Sequence, residues 1–397
     1  MITMSAQREA DVQFRGKRTS QTAPYAVTAA ALDAAKQARD RRQFIACLPS
    51  YRRQDAHRSA KRPCSPRATP VVANIRPSQS STITTLEIVL KFIPSLVAAL
   101  LAGMSVVHAG ATSILFIGNS FTYAQGSAVH YYRAGTVTDL NGQGIGGMPA
   151  LFKSFTVEAG LDYDVSLETQ GGVGLDWHLE HKSDVVGQRP YDSVVMHGYS
   201  TLDKDKPGDP GLLVDTVKRM SALLRARNPA VEIRLMATWP RADQTYDPKG
   251  AWFGKPVDAM ARDLRAGYDK AAAATPGLKP VIPVGDAWMR AIRSGVADAN
   301  PYDGIEAGKL DLWTWDHYHA STFGYYLEAL VVFGSVTGLD PRSLGENECS
   351  GYELGLSRPQ VAALEQLAFD QLTEGGMKPA PGKAAKAAEP ARCATPR

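Results

Sequence analysis

Ser120, Asp316 and His319 are the residues of this chain whose types and spacing could do chemistry together. Ser120 stands in Gly118-Asn119-Ser120-Phe121-Thr122, two residues beyond a short apolar run. A serine hydroxyl is a poor nucleophile until a base takes its proton. The base candidate is His319, in Trp313-Thr314-Trp315-Asp316-His317-Tyr318-His319. Asp316, three residues before it, can reach the Nδ1 of His319 and fix its tautomer, which His317 lacks. Such a trio performs acyl transfer through a covalent intermediate. Taken singly, each residue has a plainer reading: Ser120 as a turn or capping residue, Asp316 and His319 as caps of the helix that follows. His130, His178 and His181 are dispersed and read as surface or hydrogen-bonded histidines. With the scattered carboxylates they form no metal-ligand pattern, and no metal is expected.

The elements that must position this trio alternate in type. Ser113–Gly118, Tyr163–Thr169, Tyr191–Met196, Val231–Thr238 and Pro280–Val284 are short apolar runs with the profile of buried parallel strands. Helical spacing covers Met148–Ala159, Leu175–Asp184, Leu212–Arg227, Val257–Ala274, Ala287–Ser294 and Ser321–Val336. Strands alternating with helices predict an α/β fold, a three-layer α/β/α sandwich around a mainly parallel, five-stranded sheet. In such folds active groups collect beyond the carboxyl ends of strands, which is where Ser120 falls.

A strand-end Gly-Asp/Asn-Ser motif early in the domain, with Asp-x-x-His near its end, resembles the SGNH (GDSL-like) hydrolases. The resemblance spans most of residues 112–340. Gly-Asn-Ser-Phe-Thr, with Asp-x-x-His-Ala-Ser-x-x-Gly-x-Tyr-Leu downstream, looks most like a largely uncharacterised bacterial subgroup. It implies a flavodoxin-like sheet, Ser120, Asp316 and His319 as the triad, and no cofactor. It also implies an oxyanion hole built from the nucleophile's own N–H, a glycine N–H and an asparagine side chain. Ser120 keeps the first, and Gly174 in Gly171-Gly172-Val173-Gly174 is the choice for the second, with Gly172 next. The third departs from the family: where Gly-x-Asn-Asp is usual the chain reads His197-Gly198-Tyr199-Ser200, so Ser200, or else His197, must replace the asparagine. The implied activity is hydrolysis of carboxylic esters, of small molecules or of acetyl groups on glycans. Trp177, Trp239, Trp252, Trp313 and Trp315 are core candidates or, near the active edge, sugar-stacking ones. The alternative is a glycan-binding module on the same fold with a degraded oxyanion hole.

Composition bounds the rest. At 44% hydrophobic and 21% charged residues the chain can bury a sizeable core. Its net charge of +4 arises from an Arg-rich first 85 residues poor in aromatics, so no nucleic-acid partner is expected. Residues 1–85 read as a disordered extension, or as sequence upstream of a translation start near 77–90. Residues 86–109 have a charged start, an apolar stretch and Val107-His108-Ala109, the order of a signal peptide, with a membrane anchor as the rival. Cleavage would deliver the domain, residues 112–372, to the periplasm or medium as a monomer, in contact with membrane only if the segment stays uncleaved. Residues 373–397 read as a flexible Ala/Pro/Lys-rich tail. Cys47 and Cys64 lie in the extension, leaving Cys349 and Cys393 either to pair or to remain two free thiols.

Overall fold

A computed structural model describes residues 110–382 together with Cys393. The extension 1–85, the apolar segment 86–109, Cys47 and Cys64, and the tail from 383 other than Cys393 lie outside the described residues.

Six strands form one parallel sheet: β1 (Thr112–Gly118), β2 (Thr138–Asp139), β3 (Tyr163–Thr169), β4 (Ser193–Met196), β5 (Glu232–Ala237) and β6 (Ile282–Pro283), in the order β2-β3-β1-β4-β5-β6. That is one strand more than predicted. β2 has only two residues, both polar, so it carries no apolar run to betray it. Its pairing to Ser166 and Leu167 of β3 is the whole of its strand character.

The helices are α1 (Gly147–Glu158), α2 (Leu175–His181), α3 (Ser183–Val186), α4 (Gly211–Arg227), α5 (Ala242–Tyr246), α6 (Val257–Ala273), α7 (Val284–Arg293), α8 (Thr322–Thr337), α9 (Cys349–Glu353) and α10 (Arg358–Glu374). Side chains alternate across a strand, and β1 divides accordingly. Ile114 and Phe116 join a core with α1, α7, α8 and α10, while Leu115 and Ile117 join a second core with α2, α4 and α6. A three-layer sandwich results. α8, apolar around its circumference but for the buried Glu328, is buried from Gly324 to Gly334; Ser321 caps its start and Gly338, at φ 72°, ends it.

α10 carries the chain past residue 372, and Ala380 pairs with Leu339 through Asp340 N to Ala380 O at 2.7 Å. Residues 373–382 thus lie against the domain, because an Ala- and Pro-rich stretch can still offer its backbone to a partner. Cys349 and Cys393 form a disulfide.

The register matters for function. Gly118 lies opposite Thr169, and Ile117 opposite Met196, so β1, β3 and β4 end together and release their loops at one edge.

Candidate active site

Gly118 ends β1 where only glycine fits: a Cβ there would lie 2.3 Å from His197 Nε2 and from Thr122 Oγ1. The next residue, Asn119, ties the neighbouring loops together. Its Nδ2 donates to Val173 O (2.9 Å) and Gly198 O (3.2 Å), and its Oδ1 accepts from Phe121 N. One carboxamide thereby fixes the Ser120 turn to the loops after β3 and β4. The Ser120 carbonyl accepts from Gln125 N (3.0 Å) and Tyr325 Oη (3.2 Å), which locks the turn from behind. Below it Phe121 stacks on Trp239 at 3.8 Å, and Trp239 on Trp288 at 5.1 Å.

Asp316 and His319 meet as the spacing predicts. Asp316 Oδ2 pairs with His319 Nδ1 at 2.6 Å, and Oδ1 accepts from the N–H groups of Tyr318 and His319. His317 makes this tight turn with φ 56°, a left-handed conformation unusual for a non-glycine residue. Burial works to raise the Asp316 pKa, but the hydrogen bonds from the His319 ring and the two N–H groups outweigh it and hold the carboxyl below its ordinary value. An ionised Asp316 keeps the proton of neutral His319 on Nδ1, which leaves a lone pair on Nε2. Nε2 is buried and bonds to no group among the described residues. The His319 ring packs edge-on against Phe121, beside Ser120, at 5.8 Å between centroids. The structure therefore brings the Asp316–His319 pair against the Ser120 turn, without a hydrogen bond from Ser120 Oγ to Nε2. Catalytic bonds of this kind often close only around substrate.

Three contacts hold the 313–319 loop onto the loop after β5: Trp239 Nε1 to Tyr318 O (3.2 Å), Trp313 Nε1 to Pro240 O (3.0 Å) and Asp243 N to His317 O (3.0 Å). Arg241, between them, is a site residue that sequence reasoning missed. Its guanidinium lies 3.5 Å over the Tyr318 ring, pairs with Asp243, and donates from Nη1 to Ser200 Oγ at 3.1 Å. Tyr318 in turn packs 4.1 Å from His319. No spacing rule marks Arg241; its position after a strand was the only available signal.

The oxyanion candidates divide. Gly174 precedes α2, and a Cβ there would come 2.5 Å from the Tyr199 ring, so the residue must be glycine. Ser200 is buried with its oxygen already accepting from Arg241, which leaves its own O–H to donate elsewhere. His197 is excluded. Its Nδ1 bonds Gly198 O at 3.0 Å and its Nε2 bonds Thr122 Oγ1 at 2.8 Å, so both nitrogens are spent. Burial drives its pKa down to about 4, against the opposing hydrogen bond to Gly198. His178 is also fully satisfied: it pairs with Glu168 through Nδ1 and with Gly118 O through Nε2 (3.0 Å), beneath the Ser120 turn.

The tryptophans need correction as sugar platforms. Trp239, Trp252 and Trp313 are buried in the two cores, where hydrophobic gain outweighs exposure of a face. Trp177 stacks on His181. Trp315 alone among the described tryptophans is strongly exposed, at 81%.

No family model and no curated protein matches this chain. Solved structures similar to it include a candidate SGNH hydrolase from Slackia heliotrinireducens, at 22% identity over 57% of this chain and 100% of that one, with a TM-score of 0.40. A DUF4886 family protein from Bacteroides uniformis is 16% identical over 68% of this chain and 97% of its own, with a TM-score of 0.46. A family 3 carbohydrate esterase from Clostridium thermocellum is 13% identical over 57% and 96%, with a TM-score of 0.38.

Proposed function

We propose that this chain is an exported serine hydrolase that cleaves carboxylic esters, with acetylated or otherwise acylated glycans as its substrates. The observation that carries this reading is the Asp316–His319 pair, with a buried, unpartnered Nε2 packed beside the Ser120 turn. His319 Nε2 takes the Ser120 proton as Oγ attacks the ester carbonyl. The oxyanion is met by the N–H groups of Ser120 and Gly174 and by the Ser200 hydroxyl, whose oxygen Arg241 holds. His319 returns the proton to the leaving alcohol, and a water then repeats the sequence on the acyl-enzyme. No step calls for a cofactor. Export is supported by the Cys349–Cys393 disulfide, since such bonds persist in oxidising compartments.

Fluorophosphonate labelling and p-nitrophenyl acetate hydrolysis test the reading together. The wild-type chain is expected to label and turn over, and Ser120→Ala to lose both, with activity falling at least ~1,000-fold. Labelling or turnover that survives in Ser120→Ala removes Ser120 from the nucleophile role. A folded wild-type chain inert to both reagents leaves the binding-module reading, which the loss of the usual asparagine at Ser200 would favour.

A further inference from the structure

Ser120 stands at the middle of the sheet edge, and the acid–base pair and Arg241 occupy only one side of it, toward β4 and β5. On the other side, over the ends of β2 and β3, lies a cleft of about 430 Å³ that the triad does not use. That volume falls within the roughly 300–1,000 Å³ typical of small-molecule sites. Its wall includes Tyr123, Gln125, His130, Tyr131, Gln143 and Gln170, and it contains no Asp, Glu, Lys or Arg.

The cleft is built rigidly and joined to the nucleophile turn. Gln125 N donates to the Ser120 carbonyl at 3.0 Å and Gln170 N to the Gly118 carbonyl at 3.2 Å, so two wall residues are bonded to the residues around the nucleophile. The opposite wall, the loop after β2, is organised by the Asp139 carboxylate, which accepts from the N–H groups of Asn141, Gln143 and Ile145 at 2.8–3.2 Å. His130 Nδ1 donates to the Tyr123 carbonyl at 2.7 Å, and its ring packs edge-on against both Tyr123 and Tyr131. Tyr131 is nevertheless 70% exposed, a large ring left in water at the mouth.

The chemistry of this wall selects a ligand class. An anionic ligand would find no cation and a cationic one no carboxylate. An acyl chain would meet a lining in which polar groups predominate. Three carboxamides each offer a donor and an acceptor, the complement of a sugar hydroxyl, which is also both. The exposed tyrosine offers an amphipathic face to the C–H side of a pyranose ring.

We propose that this cleft is a subsite for a neutral glycan, which Gln125, Gln143 and Gln170 hold by its hydroxyls and Tyr131 by a ring face. It sits so that an ester borne by a neighbouring sugar reaches Ser120. The ester part rests on the hydrolase reading above; glycan binding does not.

Full-length Ser120→Ala protein, titrated calorimetrically with xylo-, manno-, cello- and chitotetraose and with tetragalacturonate, separates the two. At least one neutral tetrasaccharide is expected to bind. Its affinity should fall tenfold or more with each of Gln143→Ala, Gln170→Ala and Tyr131→Ala in proteins whose circular dichroism and melting match the parent. The charged tetragalacturonate should bind at least tenfold more weakly. In the active enzyme, the same substitutions are expected to lower kcat/KM on acetylated xylotetraose at least tenfold more than on p-nitrophenyl acetate. The proposal is overturned if none of the neutral tetrasaccharides binds, if binding survives all three substitutions, or if tetragalacturonate binds equally well. Tetrasaccharide binding without ester hydrolysis would sink the hydrolase reading and leave the cleft standing. Hydrolysis of p-nitrophenyl acetate without tetrasaccharide binding would do the reverse.

Discussion

At the scale of single residues, Ser200, which stands where the family pattern has an asparagine, is held by a neighbour the linear order hides. A serine hydroxyl reaches less far than an asparagine amide and has one proton to give. Arg241 Nη1, by donating to Ser200 Oγ, orients that proton away from itself and strengthens it as a donor. If Arg241 acts through Ser200, the two should couple. Ser200→Ala is expected to lower kcat about 10- to 100-fold, at or below the usual effect of removing one oxyanion donor. Arg241→Ala should cost roughly 10-fold in the wild type but less than about 3-fold in the Ser200→Ala background. Kinetics of the four proteins on one ester give the cycle. Effects that simply multiply would mean that Arg241 works independently, by its contacts with Tyr318 and Asp243. The Asp316–His319 pair was legible because its spacing encodes a contact, and the place of Ser120 because it follows an apolar strand. Ser200 was legible only by alignment to a family pattern, and Arg241 only by its place after a strand, since Ser200 and Tyr318, which it engages besides Asp243, lie 41 and 77 positions away on other loops.

Among elements, the strands and long helices were read within a few residues because buried parallel strands and amphipathic helices imprint their periods on sequence. The exceptions have physical reasons. β2 is too short and polar to have a period. α10 has a weak one, although Ser357-Arg358-Pro359-Gln360 announces its start: Gln360 Oε1 accepts from Ser357 N at 2.8 Å, half of a capping box. Where α1, α8, α9 and α10 converge, carboxyls are buried together. Chiefly through burial, then through the charge of Glu348, the pKa of Glu158 is pushed up to about 7 and that of Glu365 to about 8, from an ordinary 4.5. Glu348 is raised too, by burial, while it accepts from Tyr326 Oη at 2.6 Å. A carboxyl whose folded pKa exceeds its unfolded value contributes stability below the unfolded value and loses it as pH rises through the folded one. Stability should therefore decline from about pH 4.5 to about pH 8 as this group ionises. Glu365→Gln should flatten that decline, with a gain on the order of 1–2 kcal/mol above pH 8, a few degrees in melting temperature. Melting curves from pH 5 to 9 check this; an equal decline in the variant would dismiss Glu365 as its source.

Across the described molecule, the disulfide ties α9 to a residue 44 positions later, beyond α10. It ties Cys393 to the helical layer that carries α8, where α9 packs against α1 and α10. Cys393→Ser is expected to lower unfolding free energy by about 2–4 kcal/mol, an amount governed by the length of chain that the bond closes. Denaturant titration with and without reductant measures it: reductant should destabilise the wild type to the level of the variant and leave the variant unchanged. Ester turnover below the unfolding transition should be the same in both, since Asp316 and His319 are braced by Trp239, Pro240 and Asp243 rather than by the C-terminal segment.

The bracing of the 313–319 loop by the loop after β5 makes the sheet edge modular. The candidate reacting groups downstream of β4 are fastened to one another, and the stretch from Tyr123 to Gly147 meets them through its first residues, where Gln125 N donates to Ser120 O and Thr314 Oγ1 donates to Gly126 O at 3.4 Å. Insertions or exchanges in that stretch could retune which molecule is held while the proton-transfer apparatus keeps its alignment. A transplant of residues 128–146 from a homologue of different preference, which leaves Gln125, Gly126 and Ser127 in place, is thus a route to changed selectivity at preserved turnover, and one that the fold itself makes available.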